Sequence, residues 1–336
     1  MDATPIPERS GVTHDIFWQE ILPAARPVVM RGLVADWPAV KAGKQSPKAL
    51  CDYLRRFEAG RALPTMYGPP DIGGRFFYNE DMSGFNFQQG PARLSEALDF
   101  LLEQLNVDPP HALFVQSVPT RHGLPNFEKE NPTPLIGDIE PRAWIGNQII
   151  VGAHHDPSEN IACCVAGRRR FTLFPIDQLA NLYIGPFEMS PAGTTVSLVD
   201  FDEPDFERFP RFKDAWASAQ VADLEPGDAV YIPYFWWHHV RSLERMNMLI
   251  NYWWDDFTGP GRMHPRGALL HAVLAIKSLP PRQREAWRTL FDYYVFETAG
   301  DPGAHIPADR RGVLGDMQPE FLKRIRGILR RMVDDA

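Results

Sequence analysis

Residues 143–175 read AWIGNQIIVGAHHDPSENIACCVAGRRRFTLFP, and this stretch decides the fold class. Its apolar runs are short and are separated by Gly, Pro, Asp or charged residues, a spacing typical of many short strands. Runs of the same kind occur at residues 112–118, 194–200, 228–233 and 248–254. The sequence therefore predicts a β-sandwich or β-barrel as the central part of the chain.

Helical patterns flank this β-rich part on both sides. Residues 46–57 begin with Ser-Pro and then place apolar residues at helical spacing, and residues 91–105 repeat that pattern. Three further helical runs follow residue 262. We therefore predict an α/β part packing on the barrel at 1–110, a β core at 111–261 and a helical region at 262–336.

The composition limits the classes of function. The chain has 336 residues, a formal net charge of -8 and 44% hydrophobic residues, so it can bury a substantial core and lacks the basic surface of most nucleic-acid-binding proteins. Its three cysteines give no disulfide framework, and the adjacent Cys163 and Cys164 are expected to be buried. We find no signal peptide and no membrane-spanning apolar run, which predicts a cytoplasmic protein.

The sequence HHD at residues 154–156 contains a two-point chelate. Residues two apart in a strand point to the same face, so His154 and Asp156 face one way and His155 the other. A lone His-x-Asp pair is common at strand ends that bind nothing. It becomes informative only if a third ligand joins it.

The sequence WWHH at residues 236–239 offers that third ligand. By strand parity, either His238 or His239 faces inward, and parity alone does not say which. If His238 joins His154 and Asp156, two histidines and one carboxylate bind one face of a metal and leave positions open. That set suits non-haem Fe(II), whereas zinc more often takes three or four N or S ligands.

Three polar residues near these clusters are candidates for binding a small anion. Within residues 168–170, all arginine, alternation lets either Arg169 alone or its two neighbours point inward. A guanidinium binds a carboxylate with two parallel hydrogen bonds, although a solvated turn is the simpler interpretation. Asn160 and Asn251 lie in apolar strands, where a core hydrogen bond and contact with a polar cosubstrate are both reasonable.

Most of the chain resembles the JmjC-type, cupin-like Fe(II)- and 2-oxoglutarate-dependent oxygenases. Within that family it is most similar to the asparaginyl hydroxylase that inhibits hypoxia-inducible factor. The resemblance rests on long, ordered matches, far more specific than any single motif. They comprise RPVVMRGLVADWP (26–38), AHHDPSENIACCVAGRRRFTLFPIDQ (153–178), VDFDEPDFERFPRF (199–212), GDAVYIPYFWWHHVRSL (227–243) and LINYWW (249–254).

The resemblance assigns the metal ligands. It implies that His154, Asp156 and His238 hold the iron, and that no catalytic residue beyond the metal centre is needed. Trp236, Trp237, Tyr252 and Trp253 are candidates for the walls of the site, with core packing as the default for such aromatics.

The resemblance also assigns the cosubstrate pocket, with departures. Arg169 stands where the family usually has the Lys that binds the far carboxylate of 2-oxoglutarate, and Asn160 and Asn251 match two asparagines near the other carboxylate. Phe114 replaces a Tyr and Val151 a Thr, so two hydroxyl groups of the family's pocket are missing.

The implied fold is a double-stranded β-helix, or jelly roll, with the metal at its open end. The implied reaction is oxidative decarboxylation of 2-oxoglutarate coupled to hydroxylation of a substrate, for which we favour a protein side chain. The C-terminal helices imply a homodimer, or alternatively pack on their own barrel. Other readings are a non-catalytic cupin that binds a sugar or peptide, an oxygenase of small molecules or modified nucleosides, and a metal-dependent isomerase.

Overall fold

Fourteen strands occur in the residues that the computed structural model describes, 3–256 and 265–334. In chain order they are β1 Thr4–Pro5, β2 Glu8–Ser10, β3 Val28–Arg31, β4 Leu63–Gly68, β5 Gln88–Ala92, β6 Ala112–Pro119, β7 Arg142–Gly146, β8 Ile150–His154, β9 Glu159–Ala166, β10 Arg169–Phe174, β11 Gln220–Leu224, β12 Ala229–Ile232, β13 Trp237–Ser242 and β14 Asn247–Trp254.

The strands form two sheets whose core is a jelly roll. One sheet has the order β1-β11-β10-β13-β8, and the other has the order β2-β3-β12-β9-β14-β7-β6-β4-β5. From β7 to β14 the chain passes repeatedly from one sheet to the other, and neighbouring strands of this core pair antiparallel. The predicted double-stranded β-helix is therefore confirmed.

Apolar side chains that alternate along the strands fill the space between the sheets. Ala162 and Val230 from the larger sheet pack with Phe171, Leu173 and Val240 from the smaller one, and all are buried. Because residues two apart share a face, the same alternation places polar side chains of these strands beside this apolar layer. His154 and His238 are two of these polar side chains.

The other face of the larger sheet is covered by helices from the first half of the chain. The helix Pro47–Arg55 begins where Ser46 Oγ accepts a hydrogen bond from Ala49 N at 3.0 Å, and it buries Leu50 and Leu54. The remaining helices of residues 3–256 are His14–Ile16, Leu22–Ala24, Pro38–Gln45, Leu94–Glu103, Thr120–Gly123, Phe127–Glu130 and Phe212–Ala217, with a π-helical turn at Phe17–Ile21.

One predicted strand is absent. Residues 194–200 read TTVSLVD, but in the structure they are irregular apart from an isolated bridge between Ser197 and Ile184. Val196 and Val199 are nevertheless buried. These apolar residues are buried although they lie in a loop, so burial rather than strand pairing explains the apolar pattern.

Residues 1–255 form one compact unit and residues 256–336 a second. In the first unit, β2 to β5 extend the larger sheet of the jelly roll, so residues before 110 share a sheet with the core. The second unit contains the helices Pro265–Ile276, Pro281–Tyr294 and Pro319–Asp334. The predicted boundary between 261 and 262 lies outside the described residues. None of the helices described here is both long and apolar enough to cross a membrane.

Candidate metal centre and cosubstrate cavity

Strand pairing brings the three predicted metal ligands together. β8 and β13 are antiparallel neighbours, and His154 lies directly opposite His238, with ring centroids 4.2 Å apart. Asp156 lies two residues beyond the end of β8, and its Oδ2 is 3.4 Å from Nε2 of His238. One ligand atom from each of the three residues lies within 4.8 Å of the others. A single ion between them can therefore reach all three.

The hydrogen bonds of the two histidines leave their other nitrogens available to a metal. Nδ1 of His154 lies 2.9 Å from the carbonyl oxygen of Gly152, and Nδ1 of His238 lies 3.1 Å from that of Trp236. A carbonyl oxygen only accepts, so each Nδ1 carries the hydrogen and each Nε2 keeps a lone pair. This is the arrangement by which proteins orient histidine ligands of metals.

A carboxylate oxygen of Asp156 also indicates a metal site. Oδ2 is buried and has no hydrogen-bond partner, although Nε2 of His238 is close. In the tautomer fixed by Trp236, that nitrogen has no hydrogen to donate. Two atoms with lone pairs thus face each other without a proton between them, which a bound cation would stabilise. The residues present therefore fit a divalent metal.

The electrostatics of the site keep the ligands in the form that binds metal. Burial, followed by the neighbouring His238, lowers the pKa of His154 to about 4. Burial raises the pKa of Asp156, but the contacts with His238 and His154 outweigh it, and that pKa lies below its usual value. Near neutral pH His154 is neutral and Asp156 is ionised, as metal ligation requires.

The two adjacent histidines point elsewhere, as strand parity predicts. His155 is half-buried, and its ring packs edge-on against Trp237 at 4.6 Å between centroids. His239 lies on the opposite face of β13 and stacks on Phe201 at 4.6 Å. Burial, and to a lesser extent Arg75, lowers the pKa of His239 to about 3. Neither histidine belongs to the ligand group.

A cavity of about 50 Å³, here called the metal cavity, adjoins the ligands. His154 and His238 form part of its wall. All five residues predicted to bind the cosubstrate also line it, namely Phe114, Val151, Asn160, Arg169 and Asn251. The fold therefore places residues separated by up to 137 positions in the chain around one space.

Arg169 is a buried cation that faces the metal cavity without a counter-charge. Its side chain is among the largest fully buried ones, and Nε and Nη2 have no hydrogen-bond partner. No carboxylate of the described residues forms an ion pair with it. Burial lowers its pKa to about 10, so it remains charged at neutral pH. Because an uncompensated buried charge is costly, this geometry suits a site that receives an anionic ligand.

The contacts of the two neighbouring arginines show which residues of 168–170 point outward. Arg168 donates to Glu244 at 2.7 Å, and Arg170 binds Asp223 with two hydrogen bonds of 2.8 Å. Both ion pairs are solvent-exposed. Arg169 is therefore the residue of this trio that points inward.

The two asparagines form an internal pair that still borders the cavity. Oδ1 of Asn251 accepts from Trp144 Nε1 at 2.7 Å, and Nδ2 of Asn251 donates to Asn160 Oδ1 at a long 3.4 Å. The core hydrogen bond expected from the sequence is therefore present. Contact of the pair with a cosubstrate stays a prediction.

A β-bulge explains how Val151 reaches the cavity. His154 pairs with His238 and Val151 with Val240, so three steps on β8 match two on β13. Without the extra residue, the side chains of Val151 and His154 would point to opposite faces of the sheet. Bulges recur beside active sites because they redirect a side chain in this way. Regular alternation along the sequence does not predict the bulge.

Sequence reasoning missed eight other residues of the metal cavity. Gln116, Trp144 and Ala192 are among them, and no motif marked these three. Among the aromatics predicted as walls, Trp253 lines the cavity, because it shares the parity of Asn251. Trp237 and Tyr252 instead belong to hydrophobic clusters, the default for such residues.

Comparison with known proteins agrees with the fold and the site. The model of the cupin-like domain family matches residues 13–259. Lysine-specific demethylase 8 of Xenopus tropicalis is 27% identical over 265 residues, covering 75% of this chain and 53% of that protein. Jumonji C domain-containing protein 5 of Drosophila melanogaster is 24% identical over 257 residues, covering 74% and 60%.

A third relative is named for a tRNA modification. The tRNA wybutosine-synthesizing protein 5 of Gallus gallus is 26% identical over 272 residues, covering 75% of this chain and 77% of that protein. The chain thus spans little more than half of the first two relatives and more of the third. These matches support the JmjC-type family, while the closer likeness to an asparaginyl hydroxylase stays a prediction.

We expect His238→Ala to abolish high-affinity binding of Fe(II) or Mn(II), because a site that loses one of three ligands no longer holds the ion. His239→Ala should retain most of the binding, since that ring faces Phe201. Isothermal titration of both variants with Mn(II) provides the measurement. Equal losses from the two changes would contradict the ligand assignment.

We expect Arg169→Lys to weaken 2-oxoglutarate binding by roughly tenfold or more, equivalent to about 1.4 kcal/mol or more. Lys offers a point charge where Arg offers a planar fork, and Phe114 and Val151 supply no hydroxyl to compensate. Calorimetric titration with 2-oxoglutarate in the presence of Mn(II) measures the effect, while affinity for Mn(II) itself should hardly change. Arg168→Lys, an exposed neighbour, is the control. Wild-type 2-oxoglutarate affinity in Arg169→Lys would show that another group binds the anion.

Proposed function

Because this chain belongs to the JmjC-type, cupin-like family, whose members are Fe(II)- and 2-oxoglutarate-dependent oxygenases, we propose that it is such an oxygenase and hydroxylates a protein side chain. The reaction class follows from the family and the site. That the reaction is a hydroxylation, and that the substrate is a protein side chain, are our proposals.

One observation supports the proposal more than any other. The buried Arg169, with no carboxylate partner among the described residues, lines the same cavity as His154 and His238. A metal site alone would suit many proteins, and a buried arginine alone could be structural. A three-ligand metal site and an unpaired guanidinium in one cavity suit a dicarboxylate that binds the metal at one end and Arg169 at the other.

Iron bound here would supply oxygen activation, coupled to the decarboxylation of 2-oxoglutarate to succinate and carbon dioxide. The chain supplies orientation and exclusion of water. Asp156, His154 and His238 would hold the ion, and three protein ligands would leave positions open for other ligands. Arg169 neutralises the far carboxylate, and the Asn160–Asn251 pair lies beside the cavity wall where polar atoms of the cosubstrate can be oriented.

The walls of the metal cavity favour a dry site. Phe114 lies between two aromatic rings, at 5.7 Å from Trp144 and 6.2 Å from Phe76, and stacks on both. Trp253 packs edge-on against Trp144 at 5.8 Å. Such a wall leaves little room for water around the cosubstrate, which strengthens the ion pair with Arg169.

The charge of the first unit supports a protein substrate over a nucleic acid. Residues 1–255 contain 22 Lys and Arg against 33 Asp and Glu, whereas the second unit has a small positive excess. An acidic surface repels a phosphate backbone and attracts basic peptides. The names of two relatives refer to lysine demethylation and to tRNA modification, so demethylation and nucleoside oxidation are the alternatives that an experiment has to separate.

A purely binding cupin is the rival from another class. It has no use for a metal site with open positions or for an unpaired buried arginine. A metal-dependent isomerase would likewise lack a reason for the carboxylate-binding arginine. A cytoplasmic location is part of the proposal and rests on the sequence alone.

We expect iron-loaded protein to convert 2-oxoglutarate to succinate in air, slowly without its substrate, and Asp156→Ala to lack this activity because it loses a metal ligand. Succinate measured by mass spectrometry, with and without oxygen, tests this. No succinate, together with no calorimetric binding of 2-oxoglutarate, would rule out the oxygenase.

The same assay separates the substrate classes. Basic peptides that gain one oxygen atom support hydroxylation of a side chain. Methyl-lysine peptides that lose a methyl group and release formaldehyde would replace that proposal with demethylation, and oxidation of tRNA nucleosides would replace it with nucleoside modification.

We also propose that the helical unit forms a homodimer. Of the nineteen exposed large apolar side chains in the described residues, fourteen lie in 265–334, and Leu274 is 73% exposed. A surface of this kind usually has a partner. Leu274→Asp should therefore convert a dimer to a monomer in light scattering, whereas Leu179→Asp, at an exposed apolar position of the first unit, should not. A monomeric wild-type protein would contradict the proposal.

A further inference from the structure

A second and smaller cavity adjoins the metal cavity. It has a volume of about 20 Å³, and four residues border both spaces: Phe114, Gln116, Val151 and Ala192. We call this second space the annex. Its remaining walls are Met66, Phe76, Ile150, Gly152, Pro191 and Val196.

The side chains that line the annex are apolar, with one exception. Met66, Phe76 and Phe114 are at most 5% exposed, and Val196 is fully buried. Gln116 is the one polar side chain among the lining residues. A cavity needs roughly 10–15 Å³ to hold a water molecule, and that water needs two to four polar partners. The annex is large enough for one small molecule, and among its side chains Gln116 alone can bond a water.

Phe114 lines both spaces. It stacks on Phe76, which lines the annex, and on Trp144, which lines the metal cavity. Val151 forms the neighbouring part of the wall. These are the two positions where the sequence lacks the family's hydroxyl groups. Tyr and Thr there would add polar atoms between the spaces, whereas Phe and Val leave Gln116 as the one polar side chain of the boundary.

The annex also flanks the strand that carries the first metal ligand. Ile150 and Gly152 belong to β8, which ends at His154. Pro191 and Ala192, from the loop after residue 185, cover the opposite side. A molecule in the annex is therefore within one side chain's thickness of the metal cavity.

We propose that the annex binds molecular oxygen beside the metal cavity. This inference rests on the proposed function, since oxygenase chemistry consumes one small apolar molecule per turnover, and that molecule is oxygen. Apolar cavities of proteins stay dry and take up apolar guests such as xenon. Dioxygen has the size and polarity that the annex accepts, and the apolar side chains of Phe114 and Val151 line both the annex and the metal cavity.

Val196 offers a matched pair of variants, because it lines the annex but not the metal cavity. Val196→Ile adds one methylene group to a space of about 20 Å³ and should fill it, whereas Val196→Ala should enlarge it. Both changes are apolar and leave the metal ligands, Arg169 and the asparagines untouched. Thermal melting shows whether each variant is folded.

The first readout needs neither metal nor turnover. Crystals of the metal-free protein under xenon pressure should show xenon in the annex of the wild type and of Val196→Ala, and none in Val196→Ile. The second readout is the KM for oxygen at saturating 2-oxoglutarate. Val196→Ile should raise it by roughly threefold or more, equivalent to about 0.65 kcal/mol or more, with the KM for 2-oxoglutarate unchanged.

Several results would overturn the proposal. Ordered water in the wild-type annex under xenon would show that the space is not apolar in practice. Loss of xenon from Val196→Ile with an unchanged oxygen KM would remove the annex from the reaction while leaving the oxygenase assignment intact. Xenon in the annex of a protein that consumes neither 2-oxoglutarate nor oxygen would instead overturn the proposed function, and with it the role of the annex.

Discussion

The antiparallel pairing of β8 with β13 is the constraint on which the site depends. It sets His154 opposite His238 and fixes the distance between their rings, while the main chain of each strand orients its own histidine through a carbonyl oxygen. The backbone N–H of Phe235 donates to the carbonyl oxygen of Asp156 at 3.2 Å, which ties the turn before β13 to the segment after β8. The third ligand is thus held by the same pair of segments.

That turn contains a residue in an unfavourable conformation. Phe235 has a φ of 60°, in the left-handed region that non-glycine residues rarely occupy. Its ring packs against His155 and Tyr234, and its N–H is used by Asp156. Strain of this kind persists where surrounding contacts over-determine the backbone. Here the contacts that hold Phe235 are the ones that place Asp156 and His238 relative to each other.

Strand parity predicted much of the site, and it failed where the backbone is irregular. Alternation placed His154 and Asp156 together. It left open whether Arg169 or its two neighbours point inward, and whether His238 or His239 does. The structure shows Arg169 and His238 inward. Alternation could not place Val151, because a bulge in β8 reverses the parity between that residue and His154. It also could not identify residues 194–200 as a buried loop, since burial produces an apolar run with or without strand pairing. Gln116 and Trp144 were missed because they reach the cavity from β6 and β7, which carry no motif of their own.

The departures at Arg169, Phe114 and Val151 are best understood as one change to the pocket. A lysine presents a point charge to a carboxylate, whereas a guanidinium donates two parallel hydrogen bonds to it. If Arg169 binds the cosubstrate in this way, hydroxyl groups at positions 114 and 151 would have less to contribute, and an apolar side chain there avoids burying a polar atom with no partner. The Phe114 ring stacks on both Phe76 and Trp144. The apolar side chains of Phe114 and Val151 at the boundary between the metal cavity and the annex follow from the same exchange. A chain that restored only the Lys, or only the hydroxyls, would therefore have a poorer pocket than one that changed all three positions together.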